Sequence, residues 1–308
     1  MKGFDRILWL FFFSVAFLSC SHKEIYCPGG EPRPIEIRFM WDKAQEAGVE
    51  GMSLYFFGVD GSRNWRYDVA GMTGGNVELP LGKYRLLTVN NDLPGVVISD
   101  TESFSSLQAK CRNSLPTGML YGAKVDEIEV TLCGVDYTQP DGSVKHCPYN
   151  LVRCYPDSLA VVYSLIVEKP KGLGGVRSIN AVLSGMGKKL NISSGESLEG
   201  GARVSFPLAL DADSCLRGAT TAFMSPHKES PFDVSVRFIR SDGKEYVKNV
   251  DVTSQVSHSF GARNVIIVLK DFEIPEEQPP TSSGDVGIEV GVDGWDKIEI
   301  DLSTEIEL

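Results

Sequence analysis

Phe232-Asp233-Val234-Ser235-Val236-Arg237-Phe238 alternates apolar and polar residues without a break, and Asp242-Gly243 and Tyr246 to Val252 follow it closely. Successive side chains of an extended strand point to opposite faces. A period of two therefore places Phe232, Val234, Val236 and Phe238 on one buried face. Asp242-Gly243 tolerates positive φ and turns the chain back on itself, which predicts a hairpin. The same style continues on both sides. Upstream lie Leu159 to Val167, Ala181 to Leu183 continuing to Ile192, and Val204 to Leu210. Downstream, Val265 to Leu269 is apolar on both faces, which predicts a central strand. The chain finishes with Val286, Ile288, Val290 and Val292, a turn at Asp293-Gly294, then Trp295, Ile298, Ile300 and Leu302.

The first half reads alike. Ile35, Ile37, Phe39 and Trp41 alternate with polar residues or Met40, and Leu54 to Val59 is an apolar run closed by Asp60-Gly61. Trp65 to Val69, Val77 to Leu81, Tyr84 to Val89, Val96 to Ser99 and Ile128 to Leu132 follow as strands, and Ser103 to Cys111 predicts a short helix. Gly172, Gly174 and Gly175 read as a hairpin loop. The fold class is all-β, with about seven strands in each half at the spacing of a β-sandwich. A hydrophobic fraction of 42% suffices for two cores. Turn residues cluster from Pro148 to Pro156, which divides the chain into sandwiches at 35–153 and 154–308. The polar, proline-rich segment 275–284 predicts a flexible link before the last hairpin.

At the N-terminus, Lys2 and Arg6 precede the apolar run Ile7 to Phe13, a secretory signal too short to cross a bilayer. Leu18-Ser19-Cys20 resembles the bacterial lipobox. That likeness implies removal of residues 1–19, acylation of Cys20 (palmitate included), and a tether over 20–34. Ser21-His22-Lys23-Glu24 has no acidic cluster, so the membrane leaflet stays open. Loss of Lys2, Arg6 and Asp5, net +1, takes the formal charge from -11 to -12. Such a chain repels phosphates, which argues against nucleic acid as a partner.

Beside Cys20 stand Cys27, Cys111, Cys133, Cys147, Cys154 and Cys215, an even set that predicts disulfides or buried free thiols. His146, Cys147 and Cys154 match no zinc spacing. Asp211 and Asp213 are spaced like calcium ligands but lack a third oxygen donor and the loop glycine, and read as a turn. His146, His227 and His258 are scattered, and no nucleophile elbow, P-loop or dinucleotide fingerprint occurs. The expectation is no enzyme: no catalytic residues, no cofactor and no metal. Trp65, Tyr67 and Trp295 would stack on sugar rings if exposed, which keeps a glycan-binding lipoprotein of a polysaccharide-uptake system as the alternative.

The order of these features resembles the fimbrillin-like lipoproteins of Bacteroidales, the FimB-type minor and anchoring fimbrial subunits. The likeness is carried by the lipobox, Gly51-Met52-Ser53-Leu54-Tyr55-Phe56-Phe57, and Leu79-Pro80-Leu81-Gly82-Lys83-Tyr84-Arg85-Leu86-Leu87 running on to Asn90-Asn91. Ile179 to Met186 and the closing Val286 to Leu302 add to it. The resemblance implies two tandem transthyretin-like Greek-key sandwiches in a fimbrial anchor or accessory subunit. It implies attachment to the outer membrane at the cell surface or in a fimbrium, strand exchange with other fimbrial subunits, and a host or bacterial surface ligand as a further partner. In the family's major subunits an arginine-specific protease removes an N-terminal strand, whereas anchors keep theirs. Arg33 precedes Pro34, and Arg38 lies inside a predicted strand, so retention is the expectation here. Val286 to Leu302 has the alternation of a donor strand, and donation and an ordinary terminal hairpin both remain open.

Overall fold

The computed structural model describes residues 32–274 apart from Asp60, Ser62 and Asn113. The signal sequence, Cys20, Cys27, residues 20–31 of the tether, the 275–284 segment, the final hairpin and Trp295 lie outside the described residues. The described chain is all-β apart from one short helix. Its first half contains β1 (Arg33–Phe39), β2 (Gly51–Gly58), β3 (Trp65–Ala70), β4 (Gly74–Leu79), β5 (Gly82–Asn90), β6 (Val96–Ser99), β7 (Gln108–Cys111), β8 (Tyr121–Thr131), β9 (Gly134–Thr138), β10 (Val144–Cys147), β11 (Leu151–Cys154) and β12 (Asp157–Ser158). The second contains β13 (Val161–Val167), β14 (Val176–Met186), β15 (Lys189–Asn191), β16 (Ser197–Glu199), β17 (Ala202–Pro207), β18 (Ala209–Leu210), β19 (Leu216–Ala222), β20 (Asp233–Arg240), β21 (Glu245–Asp251), α1 (Thr253–His258) and β22 (Asn264–Leu269).

Alternation sends Ile35, Ile37 and Phe39 of β1 inward, where they meet Met52, Leu54 and Phe56 of β2 in one core. That core lies between sheet I, order β11-β1-β4, and sheet II, order β10-β9-β8-β5-β2-β3. In the second half, Tyr163 and Leu165 of β13 meet Val234, Val236 and Phe238 of β20. There the core lies between sheet IV, order β17-β14-β20-β21, and sheet V, order β18-β19-β13-β22. Each fully buried side chain of this kind stabilises by roughly 1.5–3 kcal/mol.

The two halves repeat one strand order. One sheet of each places the closing strand beside the opening strand and then the fourth, as β11-β1-β4 and β22-β13-β19. The other sheet of each carries β3-β2-β5-β8 or β17-β14-β20-β21. In both halves the opening and closing strands run parallel. Sheet III, order β16-β15-β7-β6, belongs to both halves, with Ala109 of β7 opposite Leu190 of β15. Beneath it Tyr55, Phe57 and Leu107 pack with Leu190, Ile192 and Phe223. This third cluster explains why β2 is apolar on both faces: Met52, Leu54 and Phe56 enter one core while Tyr55 and Phe57 enter another.

Three expectations are corrected. Ser103 to Cys111 is a turn leading into β7, not a helix. Ser106 N donates to Ser103 Oγ at 3.2 Å and Ser106 Oγ to Asp100 O at 2.8 Å, and these side-chain bonds compete with helical ones. The glycines at 172–175 cross between sheets V and IV rather than closing a hairpin. Gly172, at φ +78, passes so near Ile274 that a Cβ would lie 2.2 Å from its carbonyl oxygen. Finally, β22 lies at an end of its sheet and not in the centre.

Candidate functional site

The lipid-bearing cysteine predicted at position 20 lies outside the described residues, but the strand that follows its tether does not. β1 is a central strand, paired in parallel with β11 and antiparallel with β4. Asn150 holds its start, donating from Nδ2 to Pro34 O at 3.1 Å. Arg38 points outward and pairs with Glu36 at 2.5 Å. Its peptide bond to Phe39 is extended and held from both sides, a form that a protease cannot bind without strand β1 leaving the sheet.

The outer edge of β22, which pairs with no strand among the described residues, is different. Val162 N donates to Arg263 O at 2.9 Å and Glu168 N to Leu269 O at 2.9 Å. In a parallel ladder of that register, residues 263, 265, 267 and 269 direct their backbone groups to β13. Asn264, Ile266 and Val268 then turn theirs outward. Gln255 of α1 closes this edge at one point: Val268 N donates to Gln255 Oε1 at 2.8 Å, and Gln255 Nε2 donates to Val268 O at 3.0 Å. Ile266 remains 59% exposed beside them. Composition had signalled this strand as apolar on both faces. The sequence carries no signal for Gln255, because its partner lies thirteen residues away across a turn.

The residues singled out for other chemistry have structural roles. Tyr67 donates to Glu78 O, packs edge-on to Phe56 at 6.2 Å between ring centroids, and is half-buried with Trp65 against the first core. Arg63 covers the Trp65 ring at 5.1 Å. Asp211 and Asp213 form the turn before β19 and hold the Arg217 guanidinium at 3.1 and 2.6 Å, so a cation of the chain itself occupies them. His146 pairs with Asp136 across the β9–β10 hairpin at 2.6 Å, and His227 meets Ser225 Oγ through its backbone N–H, at 3.5 Å, and not through its ring. Cys147, Cys154 and Cys215 are buried free thiols, Cys111 is half-buried and Cys133 exposed. No three His, Cys, Asp or Glu residues gather as a metal site among the described residues.

A family model described as "Domain of unknown function (DUF5119)" matches residues 19–207. A Bacteroides ovatus protein named as a fimbrium anchoring subunit, Fim4B, is 20% identical over 331 aligned positions, covering 92% of this chain and 94% of that protein. The crystal structure of a Bacteroides ovatus protein described as an adhesin matches with a TM-score of 0.63 at 19% identity, over 85% of this chain and 98% of that one. Another described in the same way, also from Bacteroides ovatus, has a TM-score of 0.51 at 12% identity, over 80% of this chain and 89% of that one. At such identities the likeness to these structures is one of fold.

Proposed function

The chain belongs to the DUF5119 family, and from that premise we propose that it is a surface lipoprotein that anchors a fimbrium, or serves it as an accessory subunit, through lipid on Cys20. The sequence resemblance to fimbrial anchoring subunits is borne out by its relatives, which are named for anchoring and adhesion and not for catalysis. The family match begins at Ser19, beside Cys20, which supports the reading of a mature chain starting there. The observation that carries the proposal is the position of β1. A strand central to its own sheet and paired on both sides holds the tether fast, and its loss would open a gap between β11 and β4. The repeated strand order supports two tandem transthyretin-like sandwiches, with the first running through β12 at Asp157–Ser158.

In this reading the chain joins a neighbouring subunit by strand addition, at the outward groups of Asn264 and Ile266. Main-chain bonds give such contacts their affinity and alternate side chains their selectivity. A second copy of β22 is a poor match. Antiparallel pairing centred on Ile266 would need the Val268 groups that Gln255 already holds. An extended segment of a different subunit can stop at Ile266. The glycan-binding alternative needs coplanar exposed rings, and Trp65 and Tyr67 are half-buried instead.

The test is a Cys20→Ser variant produced in a fimbriated strain. Fibres released into the medium are expected. Fibres that stay on the cells while the variant is exported without lipid would overturn the anchoring role.

A further inference from the structure

The first half has two unlike ends. At one, β1 starts at Arg33, opposite Leu79 where β4 stops. Gly82, where β5 starts, faces Val130 near the end of β8. At the other end Phe39 meets Cys154 and Ser158 meets Tyr121, and the chain passes on into the second half. The tether and the second half are therefore attached at opposite ends. Four turns make up the free end: 59–64, 80–81, 132–133 and 148–150.

Exposed apolar side chains collect on these turns. Tyr149 is 87% exposed, Leu132 68% and Val59 49%. Contacts join the turns in two pairs, 59–64 with 80–81 and 132–133 with 148–150, and the pairing of Gly82 with Val130 links the two. Val59 N donates to Lys83 O at 3.0 Å, and a Cβ on Gly134, next to the 132–133 turn, would lie 2.8 Å from the Pro148 Cα. Tyr149 is held out by its backbone. Pro148 fixes φ at the second position of a turn closed by Asn150 N to Cys147 O at 3.2 Å, and Asn150 has φ 54. The four turns carry no net formal charge, since Asp60 offsets Arg63, on a chain of net charge -11.

We infer that this free end rests on the membrane, with Tyr149, Leu132 and Val59 in the lipid headgroup layer. The inference rests on lipid anchoring at Cys20. Twelve residues separate Cys20 from Arg33, and the thirteen Cα–Cα steps between them reach at most about 45 Å. The tether thus keeps this end, and not the second half, at a high effective concentration near the bilayer, where even a weak contact is populated. Tyrosine suits that layer because its ring is apolar and its hydroxyl wet. The turns themselves add no net charge to oppose an anionic leaflet.

The acylated full chain, carrying photoreactive benzoylphenylalanine in place of Tyr149, is reconstituted in phosphatidylethanolamine–phosphatidylglycerol vesicles and irradiated. A second preparation carries it at Leu132, and a third at Phe260, an exposed aromatic of the second half. Phospholipid adducts on the peptides containing 149 and 132, roughly tenfold above those at 260, are expected. Vesicle-bound protein without lipid adducts at 149, equal adducts at 260, or adducts from 149 to another protein chain would each overturn the inference and leave the anchor standing. Protein that fails to float with the vesicles would remove the anchor, and the inference with it.

Discussion

Cys154 is fully buried where β11 ends, and burial pushes its thiol up to about 12; burial pushes Cys111 up to about 11. Unfolding restores an ordinary value near 9.0. The stability that follows from the raised values is fully present below that pH and is lost as pH rises toward 11 and 12. Between these limits the unfolded chain holds fewer protons, so denaturant midpoints should fall with pH, by about 1.4 kcal/mol per unit for each thiol. Cys154→Ala should flatten the slope. Mass-tagged maleimide gives a second measurement: of the five described cysteines, Cys133 should react at once and Cys147, Cys154 and Cys215 only on unfolding. Cysteine spacing in the sequence left both disulfides and buried free thiols open, because it says nothing of which residues approach in space. Asp211 and Asp213 were legible as a turn, but not their partner Arg217, since two carboxylates at that spacing suit a guanidinium as well as a metal.

At the scale of elements, β1 and β22 give opposite predictions. Ile37 is buried on a strand paired from both sides, so Ile37→Ala should cost about 2–5 kcal/mol in chemical denaturation. It should also open the Arg38–Phe39 bond to trypsin, which native protein resists in limited proteolysis. Ile266→Asp, at an exposed position, should change stability by no more than about 0.5 kcal/mol. It should nevertheless abolish incorporation into fibres, scored by co-purification. Alternation made β1 and β20 readable because each has one buried and one open face, whereas β21 buries no residue fully and was legible through the Asp242-Gly243 turn that precedes it. It failed for β22, whose apolar outer face predicts a neighbour that is missing among the described residues. It failed too at Ser103, where hydroxyl bonds to backbone outweigh a helical pattern, and for α1, which buries only Val256.

For the whole molecule, sheet III and its cluster mean that neither half is closed without the other. Phe223 is buried there, and Phe223→Ala should cost about 3–5 kcal/mol. Scanning calorimetry should show one transition for the native chain and two for the variant, as each half then melts on its own core. Length and two strand-rich blocks read as two parts, but the segment Pro148 to Pro156, read as turn residues, contains β11, the strand that pairs with β1. The β7–β15 pairing was not legible, because strands far apart in sequence leave no local mark of meeting. Nor did the sequence display the repeat, as the two halves share a strand order without a shared motif.

The opposed ends of the first half also set how it bears a pull. In the proposed anchor, a fibre dragged by flow would tug on the second half while the tether holds Arg33, so that tension would enter β1 along its own axis. Its hydrogen bonds to β11 and β4 lie across that axis and are loaded together in shear, not peeled one at a time like a zip. The strand that fills its own sheet is thereby also the element best placed to resist rupture.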